Sequence, residues 1–190
     1  MIIAIAAVWF GAQAAAPLLA ADLKSEFPKT LKATASAIVK RIGGTLDVPQ
    51  DLFRYQEFIR VYEHPERYLN EALECLRAKD VSDEEKVFVT YAMQRLKRKK
   101  YLAFLETLLE LRTSGVISDD VYTNGVFPHP EWNTTLQVNY RDAKVKAFLK
   151  KARAANTSPE DNTYIDCILS GDALKKVEAM REAEQLPPGR

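Results

Sequence analysis

The chain has 190 residues with 27 basic and 26 acidic side chains, a net charge of +1, which is room for one hydrophobic core and too little for two large domains. So even a balance removes the surplus of cations with which nucleic-acid binders release counterions. A content of 47% hydrophobic and 28% charged residues belongs to a folded chain, not a disordered one.

The first 21 residues, MIIAIAAVWFGAQAAAPLLAA, carry no charged side chain, and Asp22 is the first ionisable one. Ile2 to Phe10 reads as the apolar core of an export signal, with Ala12-Gln13-Ala14 as a small-x-small cleavage site. No Lys or Arg precedes that run, whereas Lys24, Lys29 and Lys32 follow it, the reverse of the positive-inside pattern. A stretch of this length can also span a bilayer as an uncleaved anchor, or lie buried as a helix. We read residues 1–21 as a signal peptide or membrane anchor ahead of a helical domain over 22–190. The expected location is periplasmic or secreted, with membrane contact through 1–21 if that segment is retained.

Beyond the leader the apolar residues recur at helical spacing. Leu31, Ala35, Ile38, Val39 and Ile42 share one face of a helix from Pro28, which Gly43-Gly44 ends. Pro49 opens a second helix with Leu52, Tyr55, Ile59 and Tyr62 on one stripe and Phe58 beside it, and Pro65 opens a third that buries Tyr68, Leu69, Ala72, Leu73 and Leu76 and stops near Ala78. Ser82 followed by Glu85 is a capping box, in which a hydroxyl and a carboxylate satisfy each other's backbone amides. Val87, Phe88, Tyr91, Ala92 and Leu96 then form one stripe, and Leu102, Leu105, Leu108, Leu109 and Leu111 form the next. Between Gln94 and Lys100 only Leu96 is apolar, so we place a turn near Lys97 to Lys100. Gly115 closes the second of these helices in a left-handed conformation.

Ser118-Asp119-Asp120 starts a short helix expected to run to about Asn124, where the Asn124 to Asn133 segment, with two prolines and a glycine, cannot be regular helix. Asp142 to Ala155, Ser158 to Gly171 and Asp172 to about Gln185 return to helix, with Val145, Phe148, Leu149, Ile165, Ile168 and Leu169 inward. With only seven glycines and no alternating β-branched runs, the expected fold is all-α, a compact bundle of about eight short helices.

Cys75 and Cys167 fit one disulfide in an oxidising compartment or two inert thiols in a reducing one. Given export, a bridge would close a loop of about ninety residues and stabilise by about 4 to 5 kcal/mol on a chain-entropy model. We name it as the disulfide candidate.

Two surfaces are candidates for partner binding. The basic run Arg95, Lys97, Arg98, Lys99 and Lys100 could grip an acidic protein or an anionic lipid; its bland reading is a helix C-terminus that suits cations, with Asp83, Glu84 and Glu85 at the other end. Phe127, His129, Glu131 and Trp132 lie in an irregular segment of the kind that carries binding residues on a rigid scaffold. Phe127 and Trp132 could equally plug that loop onto the core. No metal site is expected, because His129, Glu131 and His64 show no ligand spacing, and no cofactor motif is present. Together these features favour an exported protein that binds a protein partner without catalysis, for example an immunity or inhibitor protein against a delivered effector. The alternatives are a lysozyme-like glycan hydrolase with Glu131 or Glu57 as acid, and an adaptor docking through the basic run.

Overall fold

The computed structural model describes residues 30–43, 52–127, 134–155 and 158–185. Among these residues the chain is all-α, with ten helices and no strand: α1 Leu31–Ile42, α2 Gln56–Glu63, α3 Pro65–Arg77, α4 Asp83–Ala92, α5 Arg98–Thr113, α6 Asp119–Val126, α7 Thr134–Val138, α8 Ala143–Ala155, α9 Pro159–Ser170 and α10 Asp172–Gln185. About eight were expected; α7 is a helix that no periodicity announces. The expected leader, Pro28, Gly44 and Pro49 lie outside the described residues.

The bundle is built around α4. Every residue from Lys86 to Ala92 is buried, so this helix is wrapped on all sides and not merely on one stripe. It packs on α1, α2 and α3 on one side and on α6 on the other. α5 runs beside α6 and carries the core across to α8, where α9 and then α10 follow, with α7 against α10.

The helix boundaries follow local chemistry. The Thr30 hydroxyl accepts from the Ala33 N–H at 3.2 Å, and the Leu31 N–H donates to Glu71 Oε2 of α3 at 2.7 Å, so one of the orphan amides of α1 is satisfied by a neighbouring helix. Gly43, at φ 84°, ends α1. Pro65 stands in the first turn of α3, where its missing N–H removes nothing. The capping box forms as expected, with Ser82 N–H donating to Glu85 Oε2 at 2.9 Å and Glu85 N–H to Ser82 Oγ at 3.3 Å. After α5, Gly115 N–H donates to the Arg112 carbonyl at 2.9 Å and Val116 N–H to the Leu111 carbonyl at 2.8 Å, the paired bonds of a Schellman closure.

Three expectations need correction. The turn between α4 and α5 spans Met93 to Lys97, earlier than Lys97 to Lys100, because Met93 and Leu96 are both drawn into the core and anchor the connection there. α6 continues through Gly125 to Val126 instead of ending near Asn124. The Asn124 amide bonds back to the Asp120 carbonyl at 2.8 Å, and its oxygen accepts from the Tyr91 hydroxyl at 2.7 Å. Finally, Cys75 and Cys167 are not bridged; both are free thiols. Cys75 is buried on α3, whose neighbours are α1, α2 and α4, whereas Cys167 sits on α9, which packs on α8 and α10. Burial, first of all, pushes the Cys75 thiol up from its ordinary value, which leaves it inert.

Candidate functional site

The shift of the elbow changes the meaning of its charges. Arg98, Lys99 and Lys100 occupy the first turn of α5, which holds no acidic residue. They therefore stand at the positive end of a helix dipole, where cations are disfavoured, and not at the C-terminus that would suit them.

Neighbouring helices offset most of that charge. Glu66, in the first turn of α3, faces Lys100 Nζ at 3.1 Å and Lys97 Nζ at 3.9 Å. The hydrogen bond from Lys100 is the main reason the Glu66 carboxyl lies below its ordinary value, against some desolvation. Arg98 pairs with Asp142, the residue that precedes α8 and whose Oδ1 accepts the Lys144 N–H at 2.8 Å and the Val145 N–H at 3.3 Å. Burial works to raise the Asp142 carboxyl, but Arg98 and these two amides together hold it below its ordinary value. The Arg95 guanidinium lies 5.3 Å from the centroid of the Tyr62 ring, a cation–π distance. Of the elbow residues read as partner-binding, Arg95 and Arg98 thus make contacts within the molecule. Lys99 is exposed, and no carboxylate among the described residues is paired with it.

The Arg98–Asp142 contact has a second effect: it brings the beginning of α8 to the beginning of α5. The sequence of α8, AKVKAFLKKARAA, contains five basic residues and no acidic one. Val145, Phe148, Leu149 and Ala152 face the core, while Lys144, Lys146, Lys150 and Lys151 are exposed without an ion-pair partner among the described residues. Arg153 is the exception, gripping Asp166 of α9 at 2.7 and 3.0 Å. These lysines escaped the sequence reading because they are interleaved with apolar residues and make no contiguous run. Their signal was the absence of any acid from the helix.

The other expected surface is only partly described. Phe127 is half-buried and packs edge-on against Tyr122 at 6.3 Å and Tyr164 at 5.7 Å, so it closes the end of α6 onto α9. His129, Glu131 and Trp132 lie outside the described residues. Beneath Phe127, the Arg112 guanidinium lies 4.6 Å from the Tyr122 centroid, and Arg112 Nε donates to Asp119 at 2.6 Å. Glu57 of α2 faces Arg41 of α1 at 3.5 Å.

Among the described residues no three His, Cys, Asp or Glu side chains gather to hold a metal, and no helix is long and apolar enough to cross a membrane. Fold and surface together define an all-α bundle with an electropositive corner where α5 and α8 begin. No family model, curated protein or solved structure matches the chain.

Proposed function

We propose that this protein acts by binding an acidic protein partner, without catalysis, through the corner where α5 and α8 begin. The observation that supports this reading is the concentration of unpaired cations there. Lys99, Lys144 and Lys146 are exposed in the opening turns of two adjacent helices, and both helix dipoles add positive potential at the same place. Several other cations are paired, Lys32 with Asp80, Arg41 with Glu57, Arg112 with Asp119 and Lys175 with Asp172, and the exposed ones that are not, such as Lys40, Lys79 and Lys176, are spread over separate segments. The apolar opening of the sequence supports placing this binding outside the cytosol, and an inhibitor or immunity protein against a delivered effector is the form of partner binding we favour.

The test is affinity capture from extracts of the cells that make the protein, run in parallel with a Lys99→Glu/Lys146→Glu variant. We expect a protein that is retained by the wild type, lost from the variant, and released near 1 M salt, where the screening length falls to about 3 Å. Retention that is the same on both proteins and insensitive to salt would refute the reading.

A further inference from the structure

Resting on that reading, we infer that the outer face of α8 seats one acidic α-helix of the partner protein. With 3.6 residues per turn, the exposed lysines of α8 fall into two rails along its length. Lys146 and Lys150 form one, and Lys144 and Lys151 the other. Members of a rail are separated by one turn and by two turns, which is about 6 Å and about 10.5 Å. These separations are the ones at which Glu or Asp recur along a single face of another helix. Between the rails the face carries only Ala143, Ala147 and Ala154, all exposed, so no side chain stands between the lysines to hold a helix away, and axes can approach to about 8 Å.

The charge itself calls for complementation. Lys146 and Lys150 are like charges one turn apart, an arrangement that weakens a helix, and no acid on α8 relieves it. Arg153, at the end of the same helix, does receive a carboxylate, from Asp166. An acidic face laid along α8 would supply four lysines with what Arg153 already has.

The chemistry favours a protein helix over other polyanions. Lysines can neutralise phosphates, but single-stranded nucleic acid is also held by aromatic rings on which its bases stack, and the only aromatic residue of α8, Phe148, points into the core. Lipid surfaces take up large apolar side chains from an amphipathic helix. The exposed large apolar residues among the described ones are Val116 and Val138, neither of them on α8.

The test uses the full chain and fluorescence anisotropy with three probes: a synthetic acidic peptide with glutamates at one-turn and two-turn spacing, a peptide of the same charge interrupted by prolines, and a single-stranded oligonucleotide. The helical peptide should bind about tenfold or more tightly than the interrupted one, and Lys146→Glu/Lys150→Glu and Lys144→Glu/Lys151→Glu should each weaken it by about tenfold or more. All four lysines are exposed, so circular dichroism of the variants should match the wild type; either pair alone is sufficient for the test. Equal binding of the two peptides, no binding of either, or tighter binding of the oligonucleotide would overturn the inference. Capture that is abolished by Lys99→Glu yet untouched by both α8 variants would also overturn it, while leaving the proposed function standing.

Discussion

Gly125→Ala tests how closely α6 is pressed onto α4. Gly125 is a helical residue, and alanine in a helix interior is favoured over glycine by about 1 kcal/mol, so propensity alone predicts a more stable protein. The tertiary structure predicts the opposite. A methyl group at this position would lie 2.8 Å from Leu108 Cδ1, 3.0 Å from Thr90 Cγ2 and 3.1 Å from Thr90 Cβ. Neither neighbour has space to retreat: Leu108 and Thr90 are both 0% exposed, and the Thr90 hydroxyl is tied to the Val87 carbonyl at 2.7 Å. Forcing a methyl into a filled core costs about 1 to 3 kcal/mol, which exceeds the propensity gain. The net expectation is a loss of about 1 kcal/mol, or about 2 to 4 °C in Tm for a chain of this size. Thermal and urea unfolding of Gly125→Ala, Thr90→Ser and the double variant would measure it. Thr90→Ser removes Cγ2 but keeps the hydroxyl, so the double variant should lose less than the sum of the singles, by about 0.5 kcal/mol or more. A rise in Tm for Gly125→Ala, or strict additivity in the double variant, would refute the close approach.

Two further outcomes concern the cap of α4 and the buried tyrosines. Ser82→Ala should remove the hydroxyl half of the capping box and cost about 1 kcal/mol; chemical denaturation of Ser82→Ala, Glu85→Ala and the pair should show strong non-additivity, and no measurable loss would mean that α4 starts without its cap. In alkali, Tyr91 and Tyr122 should ionise late, because burial pushes both hydroxyls up to about 12. Their folded values lie above the ordinary 10.0, so the stability they contribute is fully present below pH 10 and is lost as the pH rises toward about 12. A tyrosinate absorbance titration of the wild type against Tyr91→Phe and Tyr122→Phe, together with Tm between those limits, would check this, and either hydroxyl ionising near 10 while the protein stays folded would contradict it.

Much of the local structure was legible in the residues. Ser82 with Glu85, Pro65, Gly43, Gly115 and Gly171 mark helix ends by chemistry that operates within a few residues, and the fold retains each of them. The elbow was misplaced by several residues because an apolar period shows that Leu96 is buried but not whether it belongs to a helix or to the turn that follows. Gly125, taken together with Pro128 and Pro130, read as part of a helix-breaking segment. Whether glycine breaks a helix or admits a neighbour depends on what lies across from it, and here that is Thr90 and Leu108, residues far away along the chain.

The candidate surface was less legible for the same reason. A run of adjacent cations draws attention in a sequence, yet Arg95 and Arg98 reach Tyr62 and Asp142, while the lysines that remain unpaired alternate with the core residues of α8. The amino-acid sequence by itself determined the helical class and most helix ends, since these follow from backbone hydrogen bonding and side-chain periodicity over one or two turns. Only the tertiary structure decided which charges are neutralised, that the two cysteines are not bridged to each other, and which helix face the described residues leave uncovered, because each of those depends on distances between segments that no local interaction sets.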